Sequence, residues 1–218
     1  ECLLDDFKHR IFKGNAHPLT RRLVIVSSPA IKSWLMLQLA KDPILGIAAG
    51  LEIRYLDEAI EKLRVEFSPD ACRVPSLLEL EVLLEMHLKA IVTEEHHDEI
   101  WKPLFDYLQV NPGFLLSKKS ERRLGALASS MASLFNLYGK YGSRLIEEWK
   151  NRAGWQEALW QRIFHKNSQW TYLYKTLGAP FQVVPDGFEI HLFSVSHIPP
   201  LYHRYLEKFA DHVPFCRY

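Results

Sequence analysis

Hydrophobic and polar positions change period several times along this chain. Leu23-Val24-Ile25-Val26 is a short, unbroken, largely β-branched run, the pattern of a strand buried on both faces. It passes through Ser27-Ser28-Pro29-Ala30 into a helical pattern ending near Ala40, with Ile31, Trp34, Leu35 and Leu39 at helical spacing. Ser28 suits the N-cap of that helix, and Pro29 suits its first turn, where a backbone N–H has no intrahelical use. Ahead of this unit the pattern predicts a short helix over residues 5–12 and a turn over 14–18. After it come a tight apolar turn, Gly46-Ile47-Ala48-Ala49-Gly50, a second strand over 51–56 and a helix over 57–65 with Ile60 and Leu63 inward.

The middle of the chain has only the helical period. Ser68-Pro69-Asp70 marks a loop over 67–74, and Pro75-Ser76 with Glu79 has the spacing of a capping box. Leu80, Leu83, Leu84, Leu88 and Ile91 continue the helix that it starts. Further helices are predicted over 101–108 and 120–149, the longer one carrying Leu127, Met131, Leu134, Phe135, Tyr138 and Leu145 on one face. Trp155, Leu159, Trp160 and Ile163 mark another. Near the end the period returns to a strand over 187–195, a turn at Ser196-His197-Ile198, and a helix opened by Pro199-Pro200 and running through Phe209. Strand–helix twice, a helical insert, then strand–helix predicts an α/β fold: a small parallel sheet interrupted by a large all-helical insert, helix-rich overall.

Composition narrows the class. The chain has 218 residues, 48% hydrophobic and 24% charged, enough for a buried core in one or two domains. With a net charge of +1, a global basic field cannot drive nucleic-acid binding, and local patches must supply it. Cys2, Cys72 and Cys216 lie far apart, which suits idle thiols in a reducing compartment better than a disulfide frame. No run of about 18 apolar residues suggests a membrane span. Glu1-Cys2-Leu3-Leu4-Asp5-Asp6 lacks the form of a signal peptide. Without an initiating Met, the chain reads as a fragment of a longer protein.

The candidate chemistry is sparse. A nucleotide site at the Ser27–Ala30 turn would need glycines, so that backbone N–H groups reach phosphates, and a Lys-Ser or Lys-Thr pair for phosphate and Mg²⁺; neither is there. Glu94-Glu95-His96-His97-Asp98-Glu99 is rich in ligands, but adjacent helical residues point about 100° apart, so this is a solvated surface rather than a metal grip. Asp57 and Glu58 lie near a strand end without the further carboxylates of a nuclease centre. Ser28, Ser194 and Ser196 lack a nucleophile elbow. Lys118-Lys119-Ser120-Glu121-Arg122-Arg123 follows the Asn111-Pro112-Gly113 turn. It is either a solvated helix start or a contact for phosphate or an acidic partner, and Arg21-Arg22 is a shorter version. Trp149, Trp155, Trp160 and Trp170 read chiefly as core, with room for one or two base-stacking platforms. His191 reads as a packed histidine rather than an acid–base group.

Several segments, in order, resemble the amino-terminal part of the RecC family, the gamma subunit of bacterial exodeoxyribonuclease V (RecBCD). They are Leu23-Val24-Ile25-Val26-Ser27-Ser28 with Ser33-Trp34-Leu35; Gly46-Ile47-Ala48-Ala49; Arg122-Arg123-Leu124 with Ala128-Ser129-Ser130-Met131-Ala132-Ser133-Leu134-Phe135-Asn136-Leu137-Tyr138; Trp155-Gln156-Glu157-Ala158-Leu159-Trp160; and Ser194-Val195-Ser196-His197-Ile198-Pro199-Pro200-Leu201-Tyr202 with Cys216-Arg217-Tyr218. One departure is the ending: the family's strand and Asn-Pro step before Cys-Arg are replaced by His212-Val213-Pro214-Phe215.

The resemblance implies an inactivated, P-loop-like superfamily 1 helicase fold. Residues 1–66 and 183–218 would form the 1A-like α/β domain, and 67–182 a 1B-like helical insert. It implies a non-catalytic, cytoplasmic bacterial subunit that guides unwound single-stranded DNA from a duplex end and reads a Chi-type signal in double-strand break repair. RecB-like and RecD-like partners would hold ATP, Mg²⁺ and the cleavage site, with no cofactor in this chain and no membrane. By position the strand contacts fall on Ser27, Ser28, Ser33, Tyr55, Ser133, Leu134 and Asn136, with no catalytic or metal residue. Serine and Asn can hydrogen-bond bases, and Tyr55 and Leu134 can pack on them. Relatives carry longer or charged side chains at 27, 33 and 133, which implies an altered or absent Chi response. The competing readings are a scaffold that only docks partner subunits and an active nucleotide-dependent enzyme with a divergent loop.

Overall fold

The structure, a computed structural model, describes residues 2–12, 20–42, 51–67, 72–94, 98–113, 116–149, 154–178 and 186–218. The turns expected at 14–18 and 46–50 and the core of the 94–99 run lie outside these residues. The chain forms two compact units, one of residues 1–69 with 177–218 and one of residues 70–176.

The first unit is built on a four-stranded, wholly parallel sheet in the order β2-β1-β3-β4. Its strands are β1 (Arg21–Val26), β2 (Leu51–Tyr55), β3 (Phe188–Phe193) and β4 (Phe215–Arg217). The central strand β1 pairs with β2 on one side, Val26 opposite Tyr55, and with β3 on the other, Val26 opposite Phe193. A parallel sheet is covered on both faces, and alternation along β1 distributes the cover. Val24 and Val26 pack with Leu4, Phe7 and Ile11 of α1 (Cys2–Phe12), Leu35 and Leu39 of α2 (Pro29–Ala40), Ile53 and Phe193. On β3, Phe188 meets Phe67 of α3 (Leu56–Phe67), which in turn meets Phe209 of α10 (Pro200–Ala210).

The edge strand β4 is too short to show a period in sequence. It forms because α10 ends in a tight turn in which His212 and Val213 both donate to the Phe209 carbonyl, after which Ile190 donates to Pro214 and Tyr218 to Leu192. The abrupt His212–Phe215 step therefore leads directly into a paired strand. Trp34 departs from the expected core face. Leu35 and Leu39 are fully buried, but Trp34 is 43% exposed and stacks on the rim against Phe193, ring centroids 6.2 Å apart.

The second unit is helical: α4 (Leu77–Thr93), α5 (Lys102–Leu108) after a 3₁₀ turn at Glu99–Trp101, α6 (Lys118–Tyr141), α7 (Ser143–Glu148), α8 (Trp155–Ile163) and the start of α9 (Leu173–Gly178). The capping box of α4 is complete: Ser76 accepts from the Glu79 N–H, and the Glu79 carboxylate accepts from the Ser76 N–H at 2.9 Å. The core joins Leu80, Leu84, Leu88 and Ile91 to Leu124, Ala128, Met131 and Phe135 of α6 and to Leu159 and Trp160 of α8. Trp160 is its aromatic centre, edge-on to Phe135 and Trp149 and tilted against Phe164 and Tyr172. The single helix expected over 120–149 is broken. Tyr141 ends α6, Gly142 caps it, and α7 starts afresh, leaving Leu145 exposed. A Cβ at Gly142 would lie 2.9 Å from both the Cα and the carbonyl oxygen of Tyr138, so only glycine lets the chain fold back this closely. Among the described residues, no helix is long and apolar enough to cross a membrane.

Candidate functional site

In a parallel sheet every strand ends on the same edge, and ligands of open α/β folds bind outside that carboxyl edge where strand order reverses. Here the reversal falls between β1 and β3, since the chain goes from β1 to β2 on one side and later inserts β3 on the other. A hydrogen bond spans the mouth of this crevice. The Ser27 hydroxyl donates to the Ser194 carbonyl at 3.1 Å, bridging the two strand ends. Ser28 is the N-cap of α2, its hydroxyl accepting from the Ile31 N–H at 3.3 Å, so the helix start is satisfied by its own side chain. Ser194 has φ 54°, a left-handed conformation that Ser adopts at a cost. It is pinned on both sides, its carbonyl by Ser27 and its N–H by the Tyr218 carbonyl at 3.0 Å.

Outside the stitched crevice the edge is aromatic and basic. Tyr55, half-buried at the end of β2, carries the Lys32 ammonium over its ring at 5.2 Å. Ser33 and Trp34 are exposed on the same helix, α2. Beyond β3, a cavity of about 270 Å³ opens between the loop at Ser196-His197-Ile198, His203 of α10, and Arg217 and Tyr218. Arg217 donates to His203 Nε2 at 3.2 Å, and the other ring nitrogen of His203 lies 3.1 Å from the Glu207 carboxylate. Lys32, Arg217 and His203 are residues to which the sequence reading gave no functional role. Their signal is positional, and it emerges only once the strand ends are aligned.

The sequence-derived candidates divide between the units. Ser27, Ser28, Ser33 and Tyr55 belong to the α/β unit, and Ser133, Leu134 and Asn136 to the helical unit. Ser27 and Ser28 hold the backbone at the β1–α2 turn, whereas Ser33 and Tyr55 offer surface. On α6, Ser133 is exposed with its hydroxyl near the Ser129 carbonyl, and Leu134 is half-buried against the helical core. Asn136 lines a cleft of about 20 Å³, room for about one water molecule rather than a base.

Charge pairing bears on the two readings left open for Arg21-Arg22. Arg21-Arg22 is not a phosphate patch. Arg21 is held by Glu66 at 2.5 Å, and Arg22, buried, by Glu189 at 3.0 Å. The same Glu189 oxygen lies 3.1 Å from His191 Nε2, and His191 Nδ1 meets the Tyr218 hydroxyl at 3.3 Å. For Glu189 to accept from Nε2, Nδ1 must accept from Tyr218. His191 is 1% exposed, and burial holds its pKa below the usual imidazole value against the opposing pull of Glu189. It is a packed structural group. The start of α6 keeps Lys118, Lys119, Arg122 and Arg123, with Arg123 reaching toward the Tyr107 carbonyl. Glu94, the first residue of the ligand-rich run, pairs with Arg162.

The sequence profile described as RecC, N-terminal domain, matches residues 1–216. No curated protein matches the chain. With nearly all of its length covered, the chain belongs to the RecC N-terminal domain family, the family of the RecBCD (exodeoxyribonuclease V) complex in DNA repair and recombination.

Proposed function

We propose that this chain is a non-catalytic, DNA-guiding part of its complex, in which an inactivated helicase-like α/β unit leads a single DNA strand along the carboxyl edge of its sheet. The observation that carries this reading is the β1–α2 turn. Where a nucleotide-binding fold of this order holds phosphates on a glycine loop, Ser27 bridges the crevice to Ser194 and Ser28 caps the helix. The chemistry that remains on that edge suits a passing strand. Tyr55 and Trp34 present faces on which bases stack whatever their sequence, and Lys32 and Arg217 supply positive charge. Ser33 on α2 and Ser133 on α6, both exposed, are suited to polar contacts with bases or backbone. ATP hydrolysis, Mg²⁺ and DNA cleavage are assigned to RecB-like and RecD-like partners. With short serines at 27, 33 and 133, a Chi-type response is expected to be altered or absent.

The test is to cross-link a 3′-tailed DNA to the reconstituted complex and map the adducts. Adducts at residues 27–34, Tyr55 or 133–137 are expected, and adducts confined to other chains would reject the reading. A second reading, a scaffold that only docks partner subunits, draws on an apolar stripe left exposed on α4: Leu78, Val82 and Met86, spaced one turn apart. It predicts stable assembly, with strand binding indifferent to Ser33→Asp and Tyr55→Ala.

A further inference from the structure

Several arginines of the described residues are held by carboxylates: Arg21 by Glu66, Arg22 by Glu189, Arg54 by Glu52, Arg64 by Glu61, Arg73 by Glu79, Arg144 by Glu148 and Arg162 by Glu94. Arg217 differs. Among the described residues its partners are a neutral-type acceptor, His203 Nε2, and the ring of Phe215, which lies 5.6 Å from the guanidinium carbon. The guanidinium is exposed at the last position of β4, opposite Leu192, and it lines the cavity beside the Ser196–Ile198 loop. Among the described residues that line the cavity there is no carboxylate. Its polar wall is Ser196, His197, His203, Arg217 and Tyr218. Glu207 stands behind His203, 3.1 Å from Nδ1, so Nδ1 carries the proton and Nε2 turns its lone pair to Arg217. The imidazole thus fixes the fork of the guanidinium without neutralising it, leaving its other N–H groups for a ligand. At about 270 Å³ the space falls below the roughly 300 Å³ at which small-molecule pockets begin, which suits a compact anionic group better than a whole nucleoside.

We propose that this cavity seats a phosphate oxyanion, supplied by the backbone of the single DNA strand, on Arg217 with Ser196 and His197 beside it. The inference rests on the DNA-guiding reading and adds to it one defined backbone contact. The crevice at the strand-order reversal is bridged by the Ser27–Ser194 hydrogen bond, and the cavity lies one strand further along the same edge, at the ends of β3 and β4. A planar guanidinium held by one edge is well suited to a phosphate's paired oxygens.

The experiment uses the full subunit in its assembled complex, with oligothymidylate binding measured over a salt series for wild type, Arg217→Ala, Arg217→Lys and Tyr55→Ala. Arg217→Ala is expected to weaken binding equally for all sequences. It should also reduce the slope of log affinity against log salt by about 0.7, the value for one phosphate contact on a single strand. Arg217→Lys keeps the charge and should restore the slope. A parallel arm follows the thermal shift produced by inorganic phosphate at constant ionic strength. If Arg217→Ala leaves the DNA slope intact but abolishes a phosphate-induced shift, the anion seat stands and its DNA source is overturned. If Arg217→Ala changes neither quantity while Tyr55→Ala weakens strand binding, the inference falls and the guiding reading survives. If neither variant changes strand binding, both fall.

Discussion

At the scale of single residues, the sheet edge is held by a few over-determined contacts. Ser194 keeps φ 54° because its carbonyl and N–H are both taken, by Ser27 and Tyr218. Ser194→Gly is therefore expected to be neutral or to stabilise by up to about 1 kcal/mol, and Ser194→Val to destabilise by about 1–3 kcal/mol, as read by urea unfolding. His191 gives a second expectation. Burial lowers its folded pKa, so the unfolded chain takes up this proton first as pH falls. Stability from this group is complete above about pH 6.5 and declines as pH drops below it, by at most about 1.4 kcal/mol per pH unit. Thermal unfolding of wild type and His191→Gln between pH 7.5 and 5 checks this. The wild type should lose more melting temperature over that interval, and parallel profiles would refute the assignment. The packing of His191 was legible in the sequence, but its full set of partners and the strain at Ser194 were not. The partners of His191, Glu189 and Tyr218, stand on its own strand and on the chain end, and the strain at Ser194 is a consequence of where two other strands finish.

At the scale of elements, local signals did most of the work where they were complete. Ser28 before Pro29, Ser76 with Glu79, and Pro199-Pro200 each announced a helix start, and α2, α4 and α10 begin there. Ser76→Ala removes one partner of the capping box and should cost about 1 kcal/mol, visible as a lowered denaturation midpoint. Periodicity misled where the apolar stripe ran on across a glycine. Tyr138 and Leu145 fit one stripe, yet the helix stops at Tyr141, because the chain turns at Gly142 against the backbone of Tyr138. Gly142→Ala would restore helix propensity but forces a 2.9 Å contact with backbone, and the contact prevails. Destabilisation of about 1–3 kcal/mol is expected, with weakened amide protection in α6 and α7. The strand β4 escaped notice for a different reason: three residues carry no alternation, and its existence depends on the free edge of β3.

At the scale of the whole molecule, the chain carries two cores that answer to different physics. The α/β unit buries β-branched strands between helices on both faces. The helical unit closes around Trp160 and the leucines of α4. Trp160→Ala should cost about 3–5 kcal/mol. Hydrogen exchange should report it in α4, α6 and α8, while β1 and β3 keep their protection. Early loss of protection in the sheet would show that the two cores are not separate units. The candidate surface follows the same division. Ser27 and Ser28 were found from the strand–turn–helix pattern, and in the structure Ser27 bridges to the end of β3 while Ser28 caps α2. Lys32 and Arg217, which give the edge its charge, and His203, which holds Arg217, carried no functional signal in the sequence.

The sequence by itself determined the element types, the faces of most helices, the parallel α/β plan and the want of a phosphate loop, because each depends on residues a few positions apart: period, cap and breaker. Only the tertiary structure decided which charges are spent and which remain. Arg21 and Arg22, read as either a solvated pair or a basic contact, are held by Glu66 and Glu189, whereas Arg217, read in the sequence only as part of a family segment, lies beside His203 with no carboxylate partner among the described residues. A cation's availability depends on whether the fold brings it a carboxylate. Those partners lie 45 and 167 positions away in the chain, beyond the reach of any local pattern.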